Sequence, residues 1–207
     1  MELLIFLSLS ILCYLSGSLV WAKIITKLYK KDISNFGTGN PGTANFVREF
    51  GASGGTSVFI GDLFTSFSAF TFCLIVVKQL THYAVAYQII TACLILTGTF
   101  FPLFFKFKGG TGLAKLIGIS CAINPLGFLL IFPFILIAYY KILNFAISGT
   151  LCVILVILSS TILNYEYHIF SSHYDYPDMN GFYTLITCGL LVFIKGIHQY
   201  NWRLFDN

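Results

Sequence analysis

The chain has 207 residues, of which 57% are hydrophobic and only 10% charged, with a formal net charge of +4 and a mean hydropathy of +0.84. Soluble domains carry about 25% charged residues, so this chain has too little charge to coat a water-facing surface. A soluble enzyme, a disordered chain and a nucleic-acid module are excluded, and the expectation is one all-α domain over residues 1–207, a polytopic helix bundle in a membrane.

The first apolar segment runs from Leu3 to Ala22. It lacks a basic leader, Glu2 precedes it and lysines follow it, so it reads as a retained helix with its N-terminus outside. Lys23, Lys27, Lys30, Lys31 and Arg48 then fill the first loop. Further segments are Thr56–Val77 and Tyr83–Phe105, followed by a second basic group, Lys106, Lys108 and Lys115. Residues 113–140 are broken at Asn124-Pro125 and again at Pro133. The last two segments are Ile142–Tyr165 and Gly181–Ile194, separated by a stretch with Glu166, Asp175 and Asp178 and no lysine or arginine.

Charge bias orients these segments. The lysine-rich loops belong in the cytoplasm, the acidic stretch 165–180 outside, and the C-terminus with Lys195 and Arg203 inside. Residues 113–164 then cross an odd number of times. That makes about seven transmembrane helices, or five if the short segments around Pro125 are not counted. The six cysteines stand singly in apolar segments and read as small apolar residues.

Two loops carry chemistry. The first, DISNFGTGNPGTANFVREFG (32–51), places Gly37, Gly39 and Gly42 in a GxGxxG pattern. A Rossmann site needs a preceding strand and cannot form between membrane helices. Closely spaced glycines still let backbone N–H groups converge on an anion. Thr38, Asn40, Thr43 and Asn45 add neutral hydrogen-bonding groups, and Arg48 adds a fork suited to phosphate. The second, FFPLFFKFKGGTGLAK, has Gly109, Gly110 and Gly112 flanked by Lys106 and Lys108. Its spacing is not that of a Walker A loop. Both loops fall on one side, which suggests a shared phosphate pocket. Asp62, just inside a helix, is costly and by default functional. His198 and Asn201 are three apart and share a helical face.

Taken together the motifs resemble those of the bacterial acyl-phosphate–glycerol-3-phosphate acyltransferase family, over nearly the whole chain. GTGNPGTANFVREFG resembles that family's GSGNxGATNxxRxxG, GDLFTS its DxxKG, GTFFPLFFKFKGGTG its GHxFPxFxxFKGGKG, and IHQYNWRL its terminal RHxxNIxRL. The resemblance implies an integral membrane enzyme of phospholipid synthesis at the cytoplasmic face of the cell membrane. It implies acyl transfer from acyl-phosphate to glycerol 3-phosphate, giving lysophosphatidic acid, with membrane lipids around it and no metal or other cofactor. Thr38, His198 and Asn201 match catalytic positions. Gly37, Gly39, Asn40, Gly42, Asn45, Arg48, Lys108, Gly109, Gly110 and Gly112 match phosphate- and substrate-binding ones. Three positions depart: Thr65 and Thr111 stand where the motifs have lysine, and Thr99 where they have histidine. The alternative is a non-catalytic lipid-binding or regulatory protein on the same scaffold.

Overall fold

The computed structural model describes residues 2–80, 84–141, 145–167 and 180–205. They form nine α-helices: α1 Glu2–Ser18, α2 Trp21–Leu28, α3 Thr43–Phe50, α4 Ala52–Leu80, α5 Ala84–Phe100, α6 Leu113–Ile123, α7 Pro125–Lys141, α8 Phe145–Tyr167 and α9 Asn180–Phe205. Two short 3-10 turns, Ile33–Asn35 and Leu103–Phe105, lie in the glycine-rich loops. No strand occurs among the described residues. A helix satisfies its own backbone groups, which hydrocarbon demands of any spanning segment.

The helices are apolar on both their inner and their outer faces. Inside, Cys13, Phe70, Cys73, Ile95, Leu96, Leu116, Ile119, Val156 and Leu185 form one buried core. Outside, leucines such as Leu4, Leu129 and Leu190 are more than half exposed, a surface only lipid covers favourably. Close packing of α1 on α5 depends on Gly17 and Gly98. A Cβ on Gly17 would overlap the Ile95 carbonyl, and one on Gly98 the Tyr14 carbonyl. Small residues at crossing points let backbones approach in this way. Cys13 of α1 and Cys73 of α4 bring their sulfurs to 3.1 Å in the same core.

All seven expected segments are helical, but fewer reach spanning length. Residues 43–77, 86–105 and 181–199 are long and apolar enough to cross, with a fourth span if the bent pair 3–17 and 21–28 counts as one. The apolar stretches 113–123, 125–134 and 147–159 are shorter. Asn124-Pro125 is the reason for the shortness of α6, whose 11 residues rise only about 16 Å. Two expectations are corrected. The segment Leu3–Ala22 is not one helix, since the chain bends by 51° between α1 and α2. Pro133 does not interrupt its segment but lies inside α7. The acidic stretch expected outside falls largely at 168–179, beyond the described residues, as do His82, His168 and His173.

Candidate active site

The first loop is shaped by its own neighbours. Asp32 accepts a hydrogen bond from the Ser34 N–H at 2.9 Å and so caps the turn Ile33–Asn35. That N–H holds the Asp32 carboxyl below the usual carboxylate range. Gly37 and Gly39 follow with φ of +52° and +66°, conformations that L side chains rarely adopt. Asn45, on the first turn of α3 and 2% exposed, closes the turn from inside. Its Oδ1 accepts from the Thr38 N–H at 2.9 Å and its Nδ2 donates to the Phe36 carbonyl at 3.0 Å. The amide expected to bind substrate thus bonds the loop's own backbone. Thr38 is half-buried and Arg48, on the last turn of α3, is exposed.

The second loop is held by distant elements. Its Leu103 N–H donates to Ser18 Oγ at 3.3 Å, at the bend of the first helix pair. Lys23 of α2 lies 5.6 Å from the Phe105 ring centre, a cation over an aromatic face. Gly109 sits where a Cβ would overlap the Thr99 carbonyl. Gln199 of α9 donates its Nε2 to the Gly109 carbonyl at 3.2 Å. Gly112 takes φ +80° and starts α6. Lys106 and Lys108 remain exposed at the rim.

The two loops meet. A Cβ on Gly110 would stand 3.3 Å from both Asn40 Oδ1 and the Pro41 carbonyl oxygen. Asn40 Oδ1, Thr43 Oγ1 and Gln199 Oε1 are buried with no hydrogen-bond partner among the described residues, an arrangement that favours an incoming donor. The Gln199 latch brings the end of α9 to the loops, and His198 lies exposed beside it. The side chain of Asn201 lies outside the described residues. Next to the loops an apolar groove of about 530 Å³ opens at Thr43 and continues along Val47, Phe59, Ile117, Phe132 and Gly149.

One residue of the second basic group is not at the surface. Lys115, expected in the cytoplasmic lysine group, is 1% exposed inside the bundle. Its Nζ lies 3.3 Å from Asp62 Oδ1 on α4. It also donates to the carbonyls of Leu19 at 3.0 Å and Ser16 at 3.3 Å. Asp62, read as a lone intramembrane carboxylate, therefore has a cation from a different helix. The signal was present in the sequence. LAKLIGISCAI holds one charge with no acid one turn away, and an isolated charge in an apolar helix needs a partner elsewhere.

Two of the three motif departures have packing roles. Thr99 is 5% exposed and its hydroxyl bonds the carbonyls of Gly17 and Ile95, at the close crossing of α1 and α5. Thr65 accepts the Trp21 indole N–H at 2.8 Å and donates to the Gly61 carbonyl. Trp21 itself fills the notch that Gly61 leaves open. Thr111 is half-buried in the second loop.

This ordering of loops and helices is matched in known proteins. Glycerol-3-phosphate acyltransferases of Bordetella pertussis and Aquifex aeolicus are 33% and 35% identical over 119 and 121 residues, covering 57% and 58% of this chain. These matches span only 54% and 60% of the relatives' own length. The glycerol-3-phosphate acyltransferase of a Wolbachia from Brugia malayi is 28% identical over 185 residues, 89% of this chain and 87% of its own. The crystal structure of PlsY, an integral membrane glycerol 3-phosphate acyltransferase, in its glycerol 3-phosphate form superposes with a TM-score of 0.74 at 27% identity. It covers 97% of this chain and 92% of that one. Its lysophosphatidic acid form gives a TM-score of 0.71. The profile of the glycerol-3-phosphate acyltransferase family matches residues 7–204, so the match takes in both glycine loops, the buried charge pair and the latch on α9: the chain belongs to the glycerol-3-phosphate acyltransferase family.

Proposed function

We propose that this protein transfers an acyl group from acyl-phosphate to the 1-hydroxyl of glycerol 3-phosphate, releasing lysophosphatidic acid and phosphate. The observation that supports it best is the junction of the loops, with Gly110 against Asn40–Pro41 and Gln199 on Gly109. Two glycine-rich turns side by side offer backbone N–H groups to two anionic headgroups at once, which is what this reaction brings together. Arg48 and Lys108 at the rim attract and clamp phosphate. The groove from Thr43 suits the donor's acyl chain, since its wall is mostly apolar, with Thr43, Thr56 and Ser148 as its hydroxyl residues.

In the transfer the acceptor oxygen attacks the acyl carbonyl carbon and the bond to the phosphate oxygen breaks. Backbone N–H groups stabilise the developing oxyanion and the departing phosphate. His198 takes the hydroxyl proton, Asn201 orients the acceptor and Thr38 bonds the donor. Holding both substrates in one pocket supplies proximity. Asn45 shapes the site without touching substrate. The site faces the cytoplasm of the cell membrane, with the N-terminus outside, and the whole chain forms a single catalytic domain. Nothing in the comparisons favours the regulatory alternative.

The test is an assay of the purified protein with palmitoyl-phosphate and a panel of phosphorylated polyols. Lysophosphatidic acid from glycerol 3-phosphate supports the reading. No turnover with any acceptor sinks it. Single-cysteine labelling in a cysteine-free background tests the orientation, and labelling of position 110 only from outside overturns it.

A further inference from the structure

Lys115 stands on the first turn of α6, three residues after Gly112 ends the second glycine loop. Its one ammonium reaches three elements: Asp62 on α4, and the carbonyls of Ser16 and Leu19 at the bend between α1 and α2. A bent helix in hydrocarbon leaves carbonyls that need a donor. An ammonium has three donors and no acceptor, so it donates to the two carbonyls while serving as counter-ion to the carboxylate. Each element it touches leads into the site. The bend runs through α2 to the first loop, and Ser18 in the bend receives the Leu103 N–H of the second. Thr65 lies three residues after Asp62, one helical turn away on the same face. The sequence motif would place a lysine there; here its hydroxyl serves Trp21 instead.

We propose that Lys115 is a positioning residue for the acyl transfer: the counter-charge of Asp62 that seats the second glycine loop against the first, supplied from α6 in place of a lysine at position 65. The proposal rests on the acyltransferase reading for its rate measurement, but not for its geometry. Loss of the ammonium strips Asp62 of its counter-charge and the Leu19 carbonyl of its donor, releases the start of α6, and moves Gly110 away from Asn40. Lys115 itself touches no substrate; the effect passes through the loop. Binding of the phosphorylated acceptor therefore suffers more than the chemical step.

The test uses the full chain in detergent, with palmitoyl-phosphate and glycerol 3-phosphate as substrates. Lys115→Met lowers kcat/KM by about 100-fold, most of it in the KM for glycerol 3-phosphate. The relocated charge, Lys115→Thr with Thr65→Lys, recovers about tenfold over Lys115→Thr alone. A second readout needs no activity. With Asn40→Cys and Gly110→Cys in a cysteine-free background, a short bifunctional thiol reagent links the two loops. Lys115→Met cuts the yield about fivefold, and relocation of the charge restores it. Should Lys115→Met not fold, Asp62→Asn with Lys115→Met leaves no bare buried charge, and the same loss of linking is expected from that pair. A wild-type protein without turnover whose cross-link still depends on Lys115 overturns the acyltransferase reading but supports this one. A folded Lys115→Met, or the neutral pair, with wild-type linking and kcat/KM within threefold overturns the proposal. So does a relocated charge that improves on Lys115→Thr in neither readout.

Discussion

The two glycine loops are held in opposite ways. The first is tied within a short stretch of chain: Asp32 to Ser34, and Asn45 back to Phe36 and Thr38. The second closes a local backbone turn on the Pro102 carbonyl but takes its side-chain ties from residues roughly ninety positions away, Ser18 on one side and Gln199 on the other. A loop built from local bonds needs only its own sequence to take shape. A loop whose side-chain ties are distant is seated only once the bundle has assembled around it. The difference places the tolerance of the site in the first loop and its vulnerability in the second.

The sharpest way to break this contrast is Gly109→Ala. The added methyl overlaps the Thr99 carbonyl and crowds Pro102, where backbone cannot yield. Overpacking of this kind costs about 1–3 kcal/mol, and we expect kcat/KM to fall about 100-fold with a clear loss of thermal stability in detergent. Activity within threefold of wild type would show that the second loop adapts freely.

Next in size is Asn45→Ala, which leaves the Thr38 N–H unpaired and the Phe36 carbonyl with only the Gly39 N–H. An orphaned group costs about 1–3 kcal/mol, so a fall of about 30-fold in kcat/KM is expected. Activity within threefold of wild type would show that the first loop keeps its shape without the Asn45 side chain.

Gln199→Ala removes one hydrogen bond of 3.2 Å. At about 0.5–1.5 kcal/mol this raises the KM for the phosphorylated acceptor roughly threefold to tenfold, with kcat nearly unchanged. A selective loss in kcat would instead place Gln199 in the chemistry.

The smallest effect belongs to Asp32. Its carboxyl is held below the usual range by the Ser34 N–H, so its folded pKa is the depressed one. The stability it supplies is present above the unfolded value, about 3.9, and is lost as pH falls through the lower folded value. Asp32→Asn keeps a capping oxygen and should match wild type near neutrality. On acidification the wild type alone loses the increment. Melting curves of both proteins between pH 6 and pH 3 check this, and parallel curves would show that the capped carboxylate carries no pH dependence.

The sequence by itself determined the membrane bundle, the positions of its apolar segments and both glycine loops, because hydrophobic run length and glycine spacing are local properties of the chain. It also picked out Asn40 and Gly110, which meet in space. Tertiary structure alone decided which groups bond one another across helices. Asn45 looked like a ligand residue and serves the loop backbone; Lys115 looked interfacial and is buried against Asp62. Helix α1 looked continuous with α2, yet it bends where Gly17 meets Gly98 and where an ammonium from α6 answers the Leu19 carbonyl. A buried charge is stable only with its partner in place, and that partner sits 53 residues away along the chain, beyond the reach of any local pattern.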